Sequence, residues 1–442
     1  MFWKNTEVKI IKEIDTTDNW WCRSAVLFSV KNGKNTIVEK ASPFNKDYEY
    51  YLQLQLNGIP LVQGKFPECS TCNGMLATGY GIENIGCPEL ETARTCMNSS
   101  FVNILNSAEK IKPLLGLLHD GYYALADTIC FPSDGEGMFF YEVPNELKYY
   151  EAACYDYYCN WDYSCVKHFP MFLYPTQSAS LINNERVEYY VQIMKTEDEP
   201  PRALAYHLYG FVNVLLDGHH KACAAASLGK FVRCLTIIPC DGYDFNRETL
   251  IRNNNFKRSN PVIDKLIFAG LKTEPPKSIH YLDVYRQMDT DLDLSFRKFD
   301  LINKKIHYGK ASYPTVRDIA TLSNTINIKG LLPDFDQYEI TKLVAEDTSD
   351  ADRYLAAIMN WLSTTDPEAA YNLAISIVKR GPGFMRHDRL RSAFLYLVNV
   401  RNDEVEQLFV DYYLEYDGKE HDDIIDIVNS YWKSNVDLCN LS

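Results

Sequence analysis

The chain has 442 residues, of which 46% are hydrophobic and 13% aromatic. That is enough apolar surface for packed cores and too much for a disordered chain. Its formal net charge is −14, which argues against nucleic acid as the main partner. The charge is uneven: Leu331 to Ser442 carries 21 Asp and Glu against 10 Lys and Arg, so a local anion site in the near-neutral remainder stays open.

The opening MFWKNTEVKIIKEI is charged and lacks the apolar core of a signal peptide. No uncharged apolar run reaches the ~20 residues that cross a bilayer. The reading is a soluble, cytoplasmic protein without a membrane partner. Its thirteen cysteines are then expected as thiols or metal ligands rather than disulfides.

The length prior gives two to four domains. The fold class expected is α+β and multidomain. Residues 1–150 carry strand-like runs, VKIIKEI, SAVLFSV, YYLQLQL and MFFYEV, divided by the turn formers KNGKN, LNGIP and SDGEG, with one helical insert, FVNILNSAEKIKPLLGLL. In this β-rich region Cys69-x2-Cys72 is followed by Cys87 and Cys96. A C-x2-C turn aims both sulfurs at one point, so four cysteines could hold a structural zinc; unliganded thiols in a β core are the alternative. A second cluster, Cys154, Cys159, Cys165 and His168, has no common ligand spacing and reads as buried cysteines among aromatics.

Residues 151–245 form an α/β core. RALAYHL and FVNVLL read as neighbouring strands, ACAAASLG as a short helix stopped at Gly229, and FVRCLTII as a further strand. Between strand and helix lies DGHHK, residues 217–221. Gly218 permits a bend with positive φ, Asp217 can cap the helix, and His219, His220 and Lys221 fall in the first helical turn. Free amides and the positive dipole end suit an anion there. Cations oppose that dipole by roughly 0.3–1 kcal/mol each, a cost that a bound anion would cancel. The alternative is a solvated turn with no ligand.

DGHHKACAA resembles the D-G-H-H-R-x-x-A form of the turn in the ParB/sulfiredoxin superfamily. PMFLYPTQSASLINNERVEYYVQIM, residues 170–194, resembles that family's opening segment and helix. The resemblance covers about residues 171–240. It implies a phosphate-binding core, with nucleotide and Mg²⁺ or a phosphorylated small molecule as ligand, and NTP hydrolysis or phosphoryl transfer as activity. It places Gly218, His219, Lys221 and Arg186 on phosphate. His220, Asp217 and Glu185 are the catalytic candidates. His219 stands where sulfiredoxins have their reactive cysteine, so that chemistry is not expected. Residues 174–178 lack the family kinases' carboxylate, which only Glu185 or Asp217 could replace.

Residues 246–330 have weak periodicity and are expected as an irregular covering segment. Residues 331–442 hold five stretches with helical spacing, from ADRYLAAIMNWLS to DDIIDIVNSYWKS, and Asp366-Pro367 is a cap-then-first-turn pair. A HEAT-like α-helical stack follows. A rival functional reading makes its acidic face the business end: a non-enzymatic interaction protein, immunity-like or scaffold, binding a basic protein partner.

Overall fold

The computed structural model describes residues 5–16, 21–41, 49–67, 74–78, 82–133, 135, 137, 148–152, 170–177, 181–209, 211–239, 243–244, 257–258, 313–325, 337–381, 386–415 and 422–433. The protein is mixed α/β, and it divides into two compact units, Met1–Tyr308 and Gly309–Ser442. MFFYEV, the Cys154 cluster and most of the segment expected as irregular lie outside the described residues.

The first unit is built on a seven-stranded mixed sheet. Its strands are β1 (Glu7–Ile14), β2 (Cys22–Lys31), β7 (Gly121–Cys130), β9 (Phe172–Tyr174), β10 (Ala203–Tyr209), β11 (Val212–Asp217) and β12 (Val232–Pro239). The order across the sheet is β1-β2-β7-β12-β10-β11-β9. β10 runs parallel to β12 and β11 parallel to β9, while the other neighbours are antiparallel. β7 and β12 pair from Val232↔Cys130 to Pro239↔Tyr123, so the sheet crosses the domain boundary expected at residue 150. Both strands are almost wholly buried, the pattern of central strands covered on two faces.

Several polar side chains inside the sheet pair with one another. Asn213 Nδ2 donates to Cys130 Sγ at 3.1 Å and to Thr236 Oγ1 at 3.2 Å. Buried Arg202 makes a two-pronged contact with buried Asp127, at 2.9 and 3.0 Å. Buried charges persist where they are paired and hydrogen-bonded in this way.

A second, five-stranded sheet joins β3 (Ile37–Ala41), β4 (Glu49–Leu56), β5 (Ile59–Pro67), β6 (Gly74–Thr78) and β8 (Lys148–Ala152) in the order β3-β4-β5-β6-β8. The hairpin between β4 and β5 turns on Asn57 and Gly58, both with positive φ, 51° and 78°. An Asn-Gly pair supplies this at little steric cost. A two-residue ladder, β13 (Tyr243–Asp244) with β14 (Lys257–Arg258), completes the strands.

Among the described residues, the helices of this unit are α1 (Pro88–Cys96), α2 (Ile104–Lys110), α3 (Lys112–Leu115), α4 (Asn184–Thr196) and α5 (His219–Ser227). The second and third arise where the helical insert was expected. α1 was not anticipated, although Pro88 at its start and Glu89 and Glu91 in its first turn are ordinary N-terminal signals. α5 ends as expected at Gly229, which takes φ 66° while the Lys230 amide reaches back to Ala225 O at 2.9 Å.

The second unit is helical: α6 (Val316–Thr325), α7 (Gln337–Ala345), α8 (Ser349–Thr365), α9 (Pro367–Arg380), α10 (His387–Leu397), α11 (Asp403–Glu415) and α12 (Asp422–Lys433). Successive helices pack, as α8 on α9 and α9 on α10, and so do alternate ones: α6 on α8, α8 on α10 and α10 on α12, and α7 on α9 and α9 on α11. The starts of the first set, Val316, Ser349, His387 and Asp422, are 33, 38 and 35 residues apart. Asp366 caps α9 as its spacing predicts, accepting from the Ala369 amide at 3.0 Å.

Candidate functional site

β11 delivers the chain to the DGHHK turn, and α5 carries it away. Gly218 is the N-cap residue, with φ 104°. A Cβ there would stand 2.6 Å from Ala203 Cβ and 3.0 Å from Ala203 Cα. Only glycine fits, on both conformational and steric grounds. No side chain caps α5, so Asp217 does not act as a cap. It ends β11 instead, with Oδ2 3.7 Å from Lys221 Nζ and Oδ1 3.8 Å from Arg94 Nε.

The three basic-capable side chains diverge to separate partners. His219 is buried, and its Nε2 accepts the Thr176 amide hydrogen at 3.0 Å. Burial, with Arg94 and His220 nearby, pushes its pKa down to about 3. The ring is therefore neutral, with its proton on Nδ1. His220 is half-buried, and its Nε2 accepts the Asn183 amide hydrogen at 3.0 Å. Burial and then Arg186 hold its pKa below the ordinary value, against opposing effects from Asp217 and the Leu181 backbone.

Lys221 is buried, and its ammonium donates to Met97 O and Arg202 O, each at 2.8 Å. It also lies 5.5 Å from the Tyr190 ring centroid. Burial depresses its pKa, partly offset by Asp217. The dipole cost expected of three basic residues is thus met inside the fold. One imidazole is neutral, and the ammonium turns away to two carbonyls.

Backbone amides and Arg186 lie at the turn where an anion could meet them, with Arg94 nearby. The amides of His219, His220 and Lys221 have no intrahelical acceptor, as in any first helical turn. α4 begins beside them. Its cap Asn183 accepts from the Arg186 amide at 3.0 Å while giving its own N–H to His220. Two helix N-termini, and two positive dipole ends, therefore meet across one hydrogen bond. Arg186 is exposed on the first turn of α4, beside Tyr190 and His220. Arg94 reaches in from α1, paired with Glu91 at 2.5 Å. Glu185 lies on the exposed first turn of α4, where the structure gives it no partner role in the site.

Of the four expected zinc ligands, Cys87 and Cys96 are described, and they stand at opposite ends of one helix. Cys69 and Cys72 lie outside the described residues. Cys87 is the N-cap of α1 and Cys96 its last residue. Nine residues of helical rise separate them by roughly 13 Å, whereas both sulfurs would need to lie about 2.3 Å from one metal ion. Among the described residues no group of three or more His, Cys, Asp or Glu converges on a metal position.

Sequence reasoning missed Thr176, Asn183 and Arg94, the partners that organise the turn. None carries a motif, and each acquires its role by contact alone.

The fold is thus a large mixed sheet with helices, joined to a helical unit, and among the described residues no helix is long and apolar enough to cross a membrane. Comparison with protein families, curated proteins and solved structures finds no match for the chain.

Proposed function

We propose that the chain binds a phosphate-bearing small molecule, with nucleotides as the first class to test, where the N-termini of α4 and α5 meet. The observation that carries this reading is the 3.0 Å hydrogen bond from the Asn183 amide to His220 Nε2, which holds the two positive helix ends together. The order strand, left-handed glycine, helix, strand supports a ParB/sulfiredoxin-like core. Phosphate oxygens would take the amides of residues 219–221 and the Arg186 guanidinium, with Arg94 as a second cation. Gly218 shapes the turn, while His219 and Lys221 hold it in place from within. Asp217 is the carboxylate that would face a Mg²⁺ carried on the phosphates.

The proposal is one of binding. Both imidazoles are engaged by neighbouring backbone and Asp217 sits between two cations, so the described residues of the turn support binding before NTP hydrolysis or phosphoryl transfer. The second unit is read as a HEAT-like stack, on the strength of its alternating layers and pair spacing.

Thermal unfolding with ATP, ADP, CTP, GTP and inorganic phosphate, each with and without Mg²⁺, tests this. A ligand at about 100 times its dissociation constant adds roughly 2.7 kcal/mol. Arg186→Gln should weaken the response about tenfold, the loss of about 1.4 kcal/mol from one charge-assisted contact. Unchanged unfolding with every ligand overturns the proposal.

A further inference from the structure

α11 shows a face whose residues the helix itself does not need. Val405, Phe409 and Tyr412 are buried against the unit. On the opposite side Asp403, Gln407, Val410 and Leu414 follow one another at i, i+4, i+7 and i+11, a single line along an α-helix. Leu414 is 77% exposed and Tyr413 beside it 52% exposed. Glu406, Asp411 and Glu415 flank the line, all exposed, and the helix contains no Lys or Arg. Acids in the first turn favour a helix, but Asp411 and Glu415 lie toward its C-terminus, where the macrodipole disfavours them. Gln407 donates to Asp411 at 2.6 Å, an i,i+4 tie that gives Asp411 a role within the helix, but helix stability explains neither Glu415 nor the exposed Leu and Tyr.

We propose that this face docks a lysine- or arginine-rich amphipathic helix of a partner protein. The partner's apolar side covers Leu414 and Tyr413, and its cations meet Glu406, Asp411 and Glu415. Charge selects this occupant. A second copy of this chain, with net charge −14, would set acid against acid, and the same acids repel nucleic acid and anionic lipid. An apolar anchor with charges around it is the arrangement of a protein interface with a buried centre and a polar rim. The inference is independent of the phosphate site.

The test uses the full chain and a fluorescent synthetic peptide of Leu and Lys patterned at helical spacing, with a Leu/Glu peptide as counterpart. Anisotropy should show binding of the Leu/Lys peptide alone, weakened about tenfold or more when salt rises from about 50 to about 500 mM. Leu414→Ser with Tyr413→Ser should weaken it about tenfold, and so should Glu406→Gln with Asp411→Asn. Asp350→Asn with Glu368→Gln, the same charge change on exposed residues elsewhere in the unit, should leave it unchanged. Circular dichroism checks that each variant stays helical. Equal affinity of all variants would mean diffuse charge attraction and overturn the proposal. So would a concentration-dependent dimer abolished by Leu414→Ser, which would assign the face to a second copy.

Discussion

The run His219-His220-Lys221 is a junction in which each side chain secures a different segment to the start of α5. His219 takes the amide of Thr176, His220 that of Asn183, and Lys221 reaches the carbonyls of Met97 and Arg202. The residue types were legible in the sequence, and so was the need for glycine before them. Their partners were not, because Thr176 is 43 positions from His219 and Met97 is 124 from Lys221. The burial of His219 has a consequence in acid. Its folded pKa is about 3 against the ordinary imidazole value of 6.5, so above pH 6.5 it imposes no penalty. Below that, the unfolded chain takes up a proton that the folded chain refuses, and stability falls until about pH 3. At pH 4.5 the loss from this group is about 3 kcal/mol. His219→Gln, whose side-chain carbonyl can accept the Thr176 amide without titrating, should show a flatter loss between pH 7 and 4.5. Urea midpoints at the two values measure it, and an unchanged slope would place the acid sensitivity elsewhere.

At the scale of elements, the helices of the second unit were legible because apolar spacing and caps are local. Asp366 before Pro367 marks the start of α9 from four residues alone. α6 and α7 were missed, lying where no strong period was seen. The tie between α7, α8 and α10 was equally invisible. Asp352 on α8 accepts the amides of Asp388 and Arg389 at 3.0 and 3.1 Å and so caps α10 from outside. Arg389 returns a contact to Asp352 and donates to Leu343 O and Glu346 O at the end of α7. One buried pair thus closes two helix ends on two neighbours. Arg389→Ala leaves a buried carboxylate and two carbonyls without it, and should cost about 3–5 kcal/mol. Asp366→Ala removes a single exposed cap, and should cost only about 1 kcal/mol. Denaturant midpoints should rank the two in that order, and equal losses would mean that the Arg389 contacts contribute little.

At the scale of the molecule, the sequence suggested a β-rich beginning and a helical end, and it offered no sign that one sheet runs through the first unit on both sides of residue 150. Periodicity identifies a strand without naming its neighbour. β2 and β7 pair through Val26↔Leu125, about a hundred positions apart, and β7 continues the sheet into β12. A boundary drawn at residue 150 cuts that sheet, whereas the observed division falls between Tyr308 and Gly309. The second unit buries its own core, with Leu355, Met359, Leu390, Phe394 and Phe409 all inaccessible. Phe394 sets its ring 5.2 Å from that of Phe409, at right angles. A unit with a complete core folds without its neighbour. Residues 309–442 expressed alone should give a helical circular dichroism spectrum and one cooperative thermal transition. Most of the chain's excess acid lies here, so added salt should raise the midpoint by screening self-repulsion. A gradual melt without a transition would show that the helical unit draws its packing from the rest of the chain.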